Sequence, residues 1–169
     1  MEPSTLVTLY NKANTWTYSN GAFKDGSPLD ARFYNNPPRL LEVEEWTKPL
    51  CYSIVNNAFS TDEKKRTKGD ELSTSLIINP ETGKVMEVYF VFTTNNKFAT
   101  IPVSVYRKIE LELKSKIWFT PTAEGRKVNR ILRFWRQELE IPSNNNDGDP
   151  SKSGTKITPV NELPKMPVE

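Results

Sequence analysis

Apolar residues recur at helical spacing over residues 50–59, where Leu50, Cys51, Ile54, Val55, Ala58 and Phe59 form one stripe. Thr47 stands ahead of them as an expected N-cap. Pro49 falls in the first turn, where its missing N–H costs no hydrogen bond. A second stripe follows Pro102: Val105, Ile109 and Leu113 recur every four residues with Tyr106 alongside, while Lys108, Glu112 and Lys116 take the wet side. Between these helices the period changes. Residues 72–78 and 85–92 read as strands, separated by Asn79-Pro80-Glu81-Thr82-Gly83-Lys84. Pro80 fixes φ at a turn position, and Gly83 can take the left-handed conformation that rejoins the ladder. In the second strand Met86, Val88, Phe90 and Phe92 share one face, and Glu87 breaks the other. A hairpin with so apolar a face must be covered, and the helix after Pro102 is the expected cover. Ile117-Trp118-Phe119 then leads through Thr120-Pro121 and a turn around Gly125 into a last strand from Val128 to about Leu139.

The two ends of the chain are patterned less clearly. Residues 4–18 carry Leu6, Val7, Leu9, Tyr10, Trp16 and Tyr18 among threonines and asparagines, which predicts short strand pieces. Turns are expected at Asn20-Gly21, Asp25-Gly26 and Asn35-Asn36-Pro37-Pro38. The mixed charge run over residues 61–71 reads as a solvated loop. Beyond Glu140 the chain is poor in aromatics and rich in proline, serine and glycine, too little to offset its ordering entropy. The expectation is therefore one α+β domain over residues 1–141, an antiparallel sheet packed on one or two helices, with a disordered tail over 142–169.

Composition narrows the chemistry. The 169 residues are 36% hydrophobic and 26% charged, enough for one core, and their net charge is only +2. Basic residues are mixed with acidic ones, so no nucleic-acid partner is expected. There is no histidine. That removes Ser-His and Cys-His nucleophile pairs and histidine-bearing zinc sites, and leaves only carboxylate or lysine chemistry to an enzyme. Cys51 is the sole cysteine, flanked by apolar residues, and is expected in the core rather than as a reactive thiol. No run of about 18 apolar residues occurs that would span a membrane. Met1-Glu2-Pro3-Ser4 has neither part of a signal peptide. The expected location is the periplasm or cell envelope if an export signal has been removed, and the cytoplasm otherwise.

Residues 73–139 resemble the C-terminal domain of TonB-type energy transducers. The hairpin from Leu76-Ile77-Ile78 through Gly83-Lys84-Val85 is similar to the family's apolar strand, turn and Gly-Lys-Val pattern. A helix follows at the family's distance. Trp118-Phe119-Thr120-Pro121 and Gly125-Arg126-Lys127-Val128 then resemble its aromatic-x-Pro and Gly-Lys-x-Val signature. Together with the helix from Thr47, the module also looks like small uncharacterised bacterial cell-envelope proteins. The resemblance implies a β-β-α-β module, preceded here by a helix-containing extension, that binds a partner protein or peptide segment by strand addition beside its last strand. Carried onto this chain, the candidate edge comprises Val128, Arg130, Leu132, Arg133, Phe134, Trp135 and Arg136. Energy transduction by this chain alone is not expected, because the residues before 73 read as part of a compact domain.

Other chemistry is weighed on the same residues. Arginines interleaved with Phe134 and Trp135 suit single-stranded nucleic acid, and equally suit a sheet edge charged against aggregation. Asp147-Gly148-Asp149 lacks the ligand spacing and closing glutamate of a calcium loop, so no metal is expected. The acid pairs Glu44-Glu45 and Asp62-Glu63 are adjacent and do not face one another. No phosphate loop, cofactor motif or catalytic residue is identified. The leading expectation is a non-catalytic binding module of the cell envelope, with an enzyme of carboxylate or lysine chemistry and a single-strand binder as alternatives.

Overall fold

The structure, a computed structural model, describes residues 3–143. The expected disordered tail, from residue 144 onward, and the Asp147-Gly148-Asp149 stretch lie outside the described residues. The chain runs through β1 (Leu6–Tyr10), α1 (Ala31–Asn35), α2 (Thr47–Ala58), α3 (Thr61–Thr67), β2 (Leu72–Ile78), β3 (Val85–Thr93), α4 (Val103–Lys116) and β4 (Ile131–Gln137). All strand pairs are antiparallel, in the order β1-β3-β2-β4. Over the described residues the fold is thus α+β, with one four-stranded sheet and four α-helices. The central β2–β3 hairpin is flanked by β1 on one side and β4 on the other.

The hairpin turn forms as its sequence dictates. Asn79 N–H donates to Lys84 O at 2.9 Å and Gly83 N–H to Asn79 O at 2.8 Å. The Asn79 side chain accepts from the Glu81 and Thr82 amides, pinning the turn from inside. Gly83 sits at φ +71, and a Cβ there would fall 1.6 Å from the Phe119 carbonyl oxygen. Only glycine meets both demands. The Phe119 amide in turn donates to Gly83 O at 2.9 Å, which clamps the segment before β4 onto the hairpin.

One face of the sheet carries α2 and α4 over a core that includes Leu72, Leu76, Ile78, Val88, Phe90 and Phe92. α4 covers the hairpin through Tyr106, Ile109 and Leu113. The Tyr106 ring meets Phe90 and Phe92 at centroid distances of 4.9 and 6.0 Å, and its hydroxyl donates to Phe98 O at 2.7 Å. Each such large side chain, fully buried, contributes about 1.5–3 kcal/mol. α2 buries Cys51, Ile54 and Val55 on the same core. On the opposite face Glu87 is only 5% exposed. Its carboxylate accepts from the Thr15 and Trp16 amides and the Thr17 hydroxyl, so the stretch after β1 folds across that face.

Several sequence expectations need correction. Residues 61–71 are not simply a loop, because Thr61–Thr67 is a helix with a complete capping box. The Ser60 hydroxyl accepts from Glu63 N–H at 3.2 Å, and Ser60 N–H donates to Glu63 Oε2 at 2.8 Å. Thr47 is the first helical residue rather than the cap, and its hydroxyl donates back to Glu44 O at 3.0 Å. Before α1, a ladder forms only over Leu6–Tyr10 and not to residue 18. The last strand starts at Ile131, later than expected, because Val128 is buried and bridges Phe23.

Candidate functional site

β4 is an outer strand. It pairs with β2 from Leu72↔Gln137 to Ile78↔Ile131, and no described strand lies beyond it. Its side chains alternate. Ile131 and Gln137 are buried and Trp135 is half-buried on the helix side, whereas Leu132 is 44% and Phe134 64% exposed on the far side. Backbone direction alternates as well. Asn79 N–H is directed at β3, and counting back along β2 turns Thr74 and Leu76 toward Trp135 and Arg133. Leu132, Phe134 and Arg136 therefore turn their N–H and C=O groups outward. The Arg136 carbonyl agrees, since it accepts from the Tyr52 hydroxyl on α2, at a long 3.5 Å.

α2 runs beside this edge and is joined to β4 at its centre. The Tyr52 ring stacks on Trp135 at 6.0 Å and 24°. Gln137 Nε2 donates to Tyr52 O at 3.2 Å, and its Oε1 accepts from Trp135 Nε1 at 2.8 Å. On one side of that stack is a cleft of about 190 Å³ lined by Lys48, Cys51, Phe119 and Arg133. On the other is a cleft of about 730 Å³ lined by Asn56, Asn57, Arg136, Gln137 and Glu140. The Arg133 guanidinium lies 5.6 Å from the Phe119 ring centroid, and the Lys48 ammonium 5.8 Å from that of Tyr52. Neither has a carboxylate within ion-pair distance among the described residues. Burial pushes the Cys51 thiol up to about 12, with Arg133 opposing, which keeps the buried group in its neutral form at ordinary pH.

The residues predicted for the edge are only partly brought together. Leu132, Arg133, Phe134, Trp135 and Arg136 lie on β4, with Arg133 and Trp135 facing α2 and the others facing away. Arg130 precedes the strand and donates through Nη2 to the Ser19 carbonyl, holding the stretch after β1. Val128 is buried against Phe23 and has no place at the edge. Sequence reasoning missed Lys48 and Tyr52. Both lie on the outer side of the predicted α2 stripe, a signal that marks them as accessible without saying that β4 is their neighbour. Among the described residues no cluster of three or more acidic or cysteine side chains is disposed to hold a metal ion. No described helix is long and apolar enough to cross a membrane.

The model of a family described as a domain of unknown function, DUF5043, matches residues 1–135. A solved DUF5043 family protein from Bacteroides uniformis is 35% identical, with a TM-score of 0.73, and the alignment covers 79% of each chain. No curated protein matches. The chain belongs to the DUF5043 family.

Proposed function

We propose that this member of the family is a protein-binding module in which residues 1–141 form one α+β domain. That domain offers β4 to an extended segment of another cell-envelope protein, in the periplasm or at the envelope. The observation that carries this reading is the outer position of β4, with the backbone of Leu132, Phe134 and Arg136 turned away from β2. Unpaired N–H and C=O groups on such an edge are templates for a further strand, and neighbouring clefts select side chains. The likeness of residues 73–139 to TonB C-terminal domains supports the same mode. A second reading, single-stranded nucleic acid, draws on Phe134, 64% exposed between Arg133 and Arg136.

Two prolines one residue apart test the reading. Phe134→Pro removes an outward N–H and leaves the β2–β4 ladder intact. Arg133→Pro breaks a ladder bond and should cost about 2–3 kcal/mol or more. With the full chain as bait in envelope extract at high salt, Phe134→Pro should melt within a few degrees of wild type yet lose the captured protein. Retention of that protein at wild-type level by Phe134→Pro would place the site elsewhere. Recovery of nucleic acid that salt releases would favour the second reading.

A further inference from the structure

We propose that the segment accepted by β4 is mainly apolar and carries one carboxylate, seated between Lys48 and Arg133; this rests on strand addition at β4. A strand laid along β4 turns successive side chains to opposite faces. Those opposite Arg133 and Trp135 point toward α2, and those opposite Leu132 and Phe134 point to the far face. The far face offers exposed apolar surface, 44% of Leu132 and 64% of Phe134. The α2 side offers the smaller cleft, where Lys48 and Arg133 are the only charged lining residues among those described. Both cations lack a carboxylate partner among the described residues, while Phe119 and buried Cys51 supply an apolar wall. A carboxylate entering this cleft meets two unpaired cations in partly excluded water, where pairing is worth more than on open surface.

The preference is local to one end of the strand. The larger cleft, beyond the Tyr52–Trp135 stack, is lined by Glu71, Glu138 and Glu140 as well as Arg136 and Lys48. Glu138 already accepts from Gly69 N–H at 2.8 Å. An acid at that end meets like charge, so the carboxylate belongs opposite Arg133, and the position two residues toward Gln137 favours a neutral side chain.

Capped valine-rich hexapeptides carrying a single central glutamate, glutamine or lysine provide the test, with binding read from amide shifts of Leu132 to Arg136 in the full chain. The glutamate peptide should bind about tenfold more tightly than the lysine peptide at low salt, with glutamine between them. The gap should close at about 0.5 M salt, where the screening length falls to a few ångströms. In the Lys48→Glu, Arg133→Glu double variant the order should invert. Equal affinity of wild type for the glutamate and glutamine peptides overturns the acidic preference and leaves strand addition standing. If none of the three shifts the β4 amides at millimolar concentration, both readings fall. The wild-type series decides this even if the double variant does not fold.

Discussion

The sheet has two outer strands that carry the same unpaired backbone and are finished differently. β1 is five residues, Leu6 to Tyr10, with no charge, and Leu6 is 68% exposed. β4 is seven residues and includes Arg133 and Arg136. Short length and charged side chains are alternative ways of keeping an edge from pairing indiscriminately. β1 uses the first and β4 the second. The chain also leaves the two edges differently. After β1 it is tied down at once: Asn11 Nδ2 donates to Glu110 at 3.2 Å, and the Thr15 and Trp16 amides bind Glu87. Both edges have a cleft under a helix. In the one of about 230 Å³ between β1 and α4, the charged lining residues Arg107 and Glu110 pair with each other at 2.5 Å. Beside β4, Lys48 and Arg133 have no carboxylate partner among the described residues. The comparison teaches that an open edge becomes selective through the side chains that flank it: those beside β1 on α4 are already paired, and those beside β4 on α2 are not.

The largest effect expected from breaking this comparison is on the β1 side. Glu87 is a buried carboxylate accepting several hydrogen bonds from residues 15–17. Glu87→Ala leaves those donors without a partner and should cost about 2–4 kcal/mol, roughly 5–15 °C in melting temperature for a chain of this size. Hydrogen exchange should then rise over β1 and residues 11–19 while β4 stays protected. Equal loss of protection in β4 would mean that the two edges open as one unit and that the contrast between them is only chemical.

How much of this was legible in the sequence depends on where the information lay. The hairpin, α2 and α4 are local patterns: a period of 2 or 3.6, a turn with Pro80 and Gly83, and stripes ending at Phe59 and Leu113. Residues that see one another only through the fold were not legible. Glu87 reads as a break in an apolar face, and nothing nearby in the chain announces that residues 15–17 will satisfy it. Val128 has the β-branched form of a strand residue, yet its partner is Phe23, 105 positions earlier, and not a strand of the sheet. The capping box Ser60-x-x-Glu63 is a local motif, but the dense mixed charge after it reads as a solvated loop. For the candidate site, the basic and aromatic content of β4 was plain. The placement of Lys48 and Tyr52 beside it is a tertiary fact.

A smaller effect sharpens the β4 side. Burial raises the Cys51 thiol from 9.0 to about 12. Below about pH 9 it is neutral in folded and unfolded chains alike. Between pH 9 and 12 the unfolded chain ionises while the folded chain holds its proton, so this group's contribution to stability declines through that window. Labelling by a thiol reagent at pH 8 should therefore wait on opening of the α2–β4 side. It should also remain slow in Glu87→Ala, once the global loss of stability is allowed for. Rapid labelling of the native wild type would show that the cleft over Cys51 breathes, and would weaken it as a formed pocket.

The smallest effect expected concerns the contact between α2 and the outward Arg136 carbonyl of β4. The Tyr52 hydroxyl reaches Arg136 O at 3.5 Å, a length at which a hydrogen bond contributes little, while its ring keeps stacking on Trp135. Tyr52→Phe preserves the ring and frees the carbonyl. Stability should change by only a few tenths of a kcal/mol, and an added strand should bind about two- to threefold more tightly, because it no longer displaces the hydroxyl. Calorimetric titration with the valine–glutamate peptide measures the gain. A loss of affinity would mean that the hydroxyl is part of the binding surface and moves onto the incoming strand. A destabilisation above about 1 kcal/mol would mark Tyr52 as a structural latch holding β4 to α2, and an edge so latched is closer to β1 in character than its arginines suggest.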